Sequence, residues 1–410
     1  MRRPCLFAVV LIAPCIAFAA PSAAADSTGT APPRIERRAP LEIVSNKPWL
    51  KVRVNGSAPQ DFILDAGSRG SSVIARECAD RLHLALGPEK MIKVGAGQGA
   101  EIPFTFSLNV TLGVAGDTTQ VPGVQVYPFG HVSAYEGRRV DGTLGEDFLR
   151  RHVVELDYDQ REVRIYDPVT YRYTGKAAPI PIVFHGGLAV AQAEMTPPGG
   201  VPIPCQVVID TGVRLAVVWY HPFVLAHGLV AAQPHAIAGT VGGGLGGEST
   251  GDIGRLDALR IGGLRLDRPV AVFSRDTSGV FAGKDEDGLV GGEILRRFKV
   301  TFDYPHSRLM LEPRTTSGAD FEYDMSGLFL VARGPDFKRI TIQSVADGTP
   351  AHEAGLARGD EIVSVDGKRA DQLTLDQVRD RLRRDGATCR LRVRRGDDER
   401  EVTIKLRRLV

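Results

Sequence analysis

A chain of 410 residues is long enough for two or three domains and too long for one small one. Its 51 Lys and Arg nearly balance 49 Asp and Glu, and the net charge of +2 argues neither for nor against a nucleic-acid partner. The cysteines are few and widely spaced, which excludes a dense disulfide framework.

The chain begins Met1-Arg2-Arg3, runs apolar through residues 5–20, and continues Pro21-Ser22-Ala23-Ala24-Ala25-Asp26. A charged start, a short apolar run and a small-residue site read as a secretory signal peptide over residues 1–25, cut before Asp26. The run is too short for a membrane span. Pro14 stands before Cys15 where a lipoprotein signal wants a small residue. No later stretch is apolar enough to cross a bilayer, so an exported chain, periplasmic or extracellular, without a stable membrane span is expected. Cys78, Cys205 and Cys389 remain after cleavage; none has a histidine in a catalytic relation to it. Residues 26–40, rich in Ala, Pro, Ser, Thr and Arg, read as a flexible leader.

From residue 41 the signals are β. Leu50-Lys51-Val52-Arg53-Val54 alternates, Asn55-Gly56 turns, and residues 61–64 return, a strong hairpin pattern. The return strand ends Phe62-Ile63-Leu64-Asp65-Ala66-Gly67. A helix-like segment follows near residues 75–84, then a glycine-rich tip at Gly95, Gly97 and Gly99, then Asp141-Gly142-Thr143-Leu144-Gly145. The second half repeats the series: Val207-Val208-Ile209-Asp210-Thr211-Gly212, a helix-like segment through Leu229, a tip at Gly242, Gly244 and Gly247, then Asp287-Gly288-Leu289-Val290-Gly291. Residues 144–166 and 290–312 share Gly, Leu-Arg-Arg, Val and Asp-Tyr at matching positions. Two apolar strands each deliver one aspartate near the core. Two such carboxylates in contact cannot both ionise easily, so one holds a proton while the other acts as a base.

Apolar-apolar-Asp-Thr-Gly, a glycine-rich flap, and an apolar-Gly pair before a short helix resemble the retropepsin-type aspartic protease fold, with both lobes in one chain. The resemblance covers residues 41–313 and implies lobe 1 over 41–175 and lobe 2 over 176–313. It implies that Asp65 and Asp210 are the catalytic pair, supported by Ala66, Gly67, Thr211 and Gly212. It also implies that the two tips are flaps over the substrate. In that family both triplets carry threonine, whose hydroxyls cross-bond beneath the dyad. Ala66 breaks the pattern, so Thr211 is expected to lack its symmetric partner, at a cost on the order of 1 kcal/mol.

Other motifs carry less. Gly247-Glu248-Ser249-Thr250-Gly251 matches a serine nucleophile elbow, which needs a strand before it and a helix after it; neither pattern is present. Gly242-x-Gly244-x-x-Gly247 lacks the βαβ context of a dinucleotide site. The nine histidines show no metal-ligand spacing, and neither metal nor cofactor is expected.

Residues 314–319 read as a polar linker. Beyond them, Ala354-Gly355-Leu356, Gly359-Asp360 and Asp366-Gly367 are spaced as in a PDZ domain, which residues 320–410 resemble closely. A second helix is expected near residues 374–384, with Leu375, Val378 and Leu382 on one face. The resemblance places Gly327, Leu328, Phe329 and Leu330 at the carboxylate-binding loop, with exposed amides able to hold a peptide C-terminus. The alternative is a module that only packs against the lobes or dimerises them. The C-terminal arginines are offset by acids, which argues against nucleic acid. The expected fold class is mainly β: two tandem acid-protease barrels and an α+β PDZ domain. The expected activity is peptide-bond hydrolysis by dyad-activated water, with peptide or protein substrates and a PDZ ligand peptide. The alternative from another class is a weak or inactive homologue that serves as a peptide-binding scaffold.

Overall fold

The computed structural model describes residues 37–93, 95–99 and 101–410. The signal peptide, and the leader as far as residue 36, lie outside the described residues. Residues 37–40 correct the leader reading. Arg37–Pro40 is a strand, antiparallel to Glu162–Tyr166. Its outer face is polar, but Ala39 is buried and the backbone is paired along its length.

The architecture is mainly β, in three sheets. An eight-stranded sheet spans residues 42–144. A 15-stranded sheet starts with Arg37–Pro40 and takes in Val153–Asp157 and Glu162–Tyr166 before collecting every strand from Ile180 to Pro313. Val153–Asp157 pairs with Phe298–Asp303, so the stretches that align in the sequence meet edge to edge. A six-stranded sheet holds residues 328–405. Among the described residues no helix is long and apolar enough to cross a membrane.

The internal repeat is a repeat of strand pairing. Gln60–Leu64 runs parallel to Gly142–Leu144, with Leu64 beside Leu144. Ile203–Ile209 runs parallel to Gly288–Val290, with Ile209 beside Val290. In each half a third strand, Val73–Ala75 or Val217–Trp219, lies antiparallel to the second. Apart from Asp61 and residues 203, 204 and 206 these strands are buried on both faces, which explains runs at their ends that read as continuous rather than alternating. The Asn55-Gly56 hairpin forms as expected; both residues adopt positive φ, at 50° and 74°, as a tight turn between strands demands.

The C-terminal sheet has its own core, centred on Leu330, Ile340, Ile362, Val378, Leu391 and Val393. Its helix Leu375–Arg381 starts at Thr374, whose side chain accepts from the Gln377 amide while Gln377 reciprocates. Leu375, Val378 and Leu382 are buried, the face the spacing predicts.

Candidate active site

The two strand ends deliver Asp65 and Asp210 to one place, each side chain packed against the opposite triplet. A Cβ added to Gly67 would overlap the Asp210 carboxyl, and one added to Gly212 would overlap that of Asp65. Each carboxylate accepts its own loop's glycine amide: Gly67 N to Asp65 Oδ1 at 2.9 Å, and Gly212 N to Asp210 Oδ1 at 2.7 Å. The strand behind anchors each loop: Asp65 N donates to Leu144 O and Asp210 N to Val290 O. Both carboxyls keep part of their surface open to a cleft yet lie deep below the general surface. Lost solvation raises both above the usual carboxylate range, and their mutual repulsion adds to the rise at Asp210.

Thr211 ties the halves together, with a correction to the expectation. Its hydroxyl is not left without a partner by Ala66. It accepts from the Ala66 amide at 2.9 Å and donates to Leu64 O at 2.6 Å. The Ala66 methyl is buried and carries no reciprocal bond.

Beside the dyad lies a group the sequence did not single out. Lys47 is buried, and its Nζ donates to Glu136 Oε1 at 2.6 Å. Its charge opposes the effect of burial at both aspartates and favours keeping one of them ionised. Lys47 follows a turn and Glu136 ends the helix Gly130–Glu136, so no local pattern links them. Both line a cleft that also touches Gly212 and Arg214.

The two glycine-rich tips meet over this cleft. Residues 242–247 turn the hairpin of Ile237–Gly244 and Gly247–Arg255. The other tip joins Lys90–Lys93 to Glu101–Val114. Gly246 N donates to Ala96 O at 2.8 Å, and Val280 N donates to Gly95 O. Gly97, at φ 115°, lies so close to Gly246 and Gly247 that a side chain there would overlap their backbone. Gly99 rests on Ser278. Ser249 sits within the hairpin strand, not on a strand-to-helix turn, and its buried hydroxyl has no hydrogen-bond partner. Among the described residues no hydrogen bond joins it to a base.

The C-terminal loop requires a second correction. Gly327, Leu328, Phe329 and Leu330 are buried, not exposed. The loop amides already have an acceptor: Asp324 Oδ1 takes Ser326 N at 2.9 Å, Gly327 N at 2.6 Å and Leu328 N at 3.3 Å. An internal carboxylate thus sits where a peptide's terminal carboxylate was expected. The edge of Leu328–Arg333 is also covered. The Tyr135 and Phe329 rings lie 6.0 Å apart, and Gly137 packs on Leu375. Arg379 donates to Tyr135 O at 2.8 Å, to Leu330 O and to Ser45 Oγ, and Ser45 Oγ also bonds Asp376. Replacing Asp324 by Ala leaves the Ser326 and Gly327 amides unpaired, while Leu328 N keeps Ser326 Oγ, so stability falls by roughly 1–3 kcal/mol, read as a lower denaturation midpoint. In the parent chain the loop amides give no preference for a free over an amidated C-terminus; a preference that Arg214→Gln leaves intact would show that Asp324 yields to a ligand.

Comparison with known proteins adds the following. Residues 50–148 match the aspartyl protease family, and residues 341–395 match the PDZ domain. A probable CtpA-like serine protease of Staphylococcus haemolyticus is 37% identical over 129 residues, 30% of this chain and 24% of that protein. Serine protease HTRA1 of Xenopus tropicalis is 33% identical over 85 residues, 21% of this chain and 15% of its own length. The chain therefore spans a quarter or less of these relatives. Among solved structures, basic 7S globulin from soybean is 12% identical over 70% of this chain and 97% of its own, with a TM-score of 0.39. The chain is protease-like, with an aspartyl-protease-like segment and a C-terminal PDZ domain.

Proposed function

We propose that this protein is an exported aspartic endopeptidase with two retropepsin-like lobes, residues 41–175 and 176–313, followed by a PDZ domain. One observation carries the reading: two half-buried carboxyls on repeated strand-to-turn loops, each packed against the other's glycine and bridged by Thr211. The aspartyl-protease match to residues 50–148 supports it for the first triplet, and the repeated pairing extends it to the second. The pair shares one proton. The ionised member takes a proton from water, whose oxygen attacks the peptide carbonyl carbon. The protonated member gives its proton to the carbonyl oxygen. The carboxyl that took the water proton then gives it to the amide nitrogen, the other carboxylate takes a proton from a diol hydroxyl, and the C–N bond breaks with the shared proton restored. The two macroscopic ionisations belong to the pair, not to either residue. The meeting glycine-rich tips, by parting and closing, admit an extended peptide and exclude bulk water.

The test is incubation of residues 26–410 with a denatured protein mixture, with fragments identified by mass spectrometry and Asp210→Asn as the control. Fragments made equally by both chains overturn the proposal. Ala66 favours a second reading, a disarmed scaffold, because half of the bracing beneath the dyad is missing. Ala66→Thr adds a hydroxyl facing the second loop, and the expected result is a kcat gain of several-fold with KM little changed. Activity only in Ala66→Thr supports the scaffold reading for the parent chain.

A further inference from the structure

The two triplets are each followed, four positions after the aspartate, by an arginine. The two arginines fare differently. Arg69 has a carboxylate, Glu286, at 3.5 Å, and that carboxylate is nearly fully buried. Arg214 is half-buried in the cleft, and its guanidinium makes no hydrogen bond or ion pair among the described residues. The cleft that it lines also holds Lys47, Arg379 and Glu136, three cations against one carboxylate. Glu136 is paired with Lys47 through Oε1, and its buried Oε2 makes no hydrogen bond to Arg214 or to any other described residue. Arg379 is spent on Ser45, Tyr135 O and Leu330 O. Asp324 and Arg383 line the adjoining recess with Arg214, but Asp324 is occupied by the loop amides. Arg214 is thus an unmatched cation held partly out of water. Its fork of donors suits a carboxylate in two-pronged contact.

Part of the cleft wall comes from the PDZ domain. Phe329 and Arg379 line the same cleft as Gly212 and Arg214. The module therefore closes one end of the cleft, and a substrate chain entering it meets Arg214 there.

Resting on the proteolytic reading, we propose that Arg214 is a carboxylate-binding subsite, walled by Phe329 and Arg379, that selects peptides bearing an anionic group a fixed distance from the cut. The carboxylate is either an acidic side chain or a free C-terminus; both present the same chemistry to the guanidinium.

The experiment uses one quenched-fluorescent core peptide in two series. In the first, Glu replaces Gln at each position in turn; in the second, the C-terminus is free or amidated. Cleavage by the parent and by Arg214→Gln is compared. Binding to the uncleaving Asp210→Asn chain is read by fluorescence anisotropy. The expected result is a preference of tenfold or more for one carboxylate position, expressed in KM and absent in Arg214→Gln. An unchanged melting temperature of Arg214→Gln shows that the fold is intact. Arg214→Glu shifts the preference to Lys at the same position. A preference in the first series assigns a side chain, and one in the second assigns the terminus. Equal handling of all peptides by the parent overturns the proposal, as does a preference that survives in Arg214→Gln. If the parent cleaves nothing, anisotropy still decides. A carboxylate preference that is lost on adding Arg214→Gln supports the subsite while the proteolytic reading fails; no preference overturns the subsite as well.

Discussion

Replacing either Asp65 or Asp210 by Asn lowers peptide cleavage by about 10³-fold or more, and both variants melt higher than the parent at neutral pH. The first effect follows from the division of labour. A positioned acid or base supplies on the order of 10²–10⁴ in rate, and a single carboxyl cannot alternate between the two roles. The second follows from burial. Lost solvation raises both carboxyls in the folded state, with the Asp65 charge adding to the rise at Asp210. A carboxyl raised on folding contributes stability that is complete below its unfolded pKa and is lost as pH rises through the folded one. Asn has no charge to be desolvated. The melting gap between variant and parent therefore opens as pH rises and closes toward about pH 3, below the unfolded carboxylate range. Activity follows the singly protonated pair and persists above the ordinary carboxylate range. A calorimetric pH series beside a pH–rate profile checks both. Parent activity that survives Asp65→Asn removes the dyad mechanism; an Asn variant that melts lower than the parent at neutral pH removes the account of burial.

Gly67→Ala and Gly212→Ala each abolish activity to the level of the Asn variants, although no catalytic atom is removed. Neither glycine has a positive φ, so backbone strain is not the cause. The cause is space: a methyl at either position overlaps the opposite aspartate. The carboxyls must separate, and a small misplacement of catalytic groups costs rate heavily. Interiors are packed too tightly to absorb the shift elsewhere, so both variants also lose stability, typically by about 1–3 kcal/mol. Gly318→Ala is the control, since an added Cβ there meets nothing within 4 Å. Wild-type turnover by Gly212→Ala would show that the carboxyls do not need this contact.

Much of the fold and of the candidate site was legible in the sequence because its signals are local. Stretches such as 207–209 at the end of Ile203–Ile209, and Gly288–Val290, are continuous apolar runs because both their faces are covered, and length and flanking glycines mark such runs. The Asn55-Gly56 turn, the capped helix Leu375–Arg381 and the alternation of Thr388–Arg395 obey rules that act within a few residues. The strand at Arg37–Pro40 was missed because its arginines are exposed and its one buried side chain is the small Ala39, so no apolar period marks it. The Asp324 contacts span two to four residues and follow an Asp-x-Ser-Gly turn pattern. Attention to that aspartate would have shown the loop amides to be occupied.

The sequence alone determined two repeated β units, an aspartate at the end of one strand in each, and a third module with PDZ spacing. Hydrophobic period and turn chemistry set these, and both are written in adjacent residues. Only the tertiary structure decided what surrounds the aspartates. Lys47 meets Glu136 across 89 positions, and Ser45 meets Asp376 across 331. Arg214 stays without a counter-charge while Arg69 finds one, although the sequence presents the two alike. A side chain's partner across such distances depends on how segments far apart in the chain pack together, and that packing turns on shape and charge that no local pattern encodes.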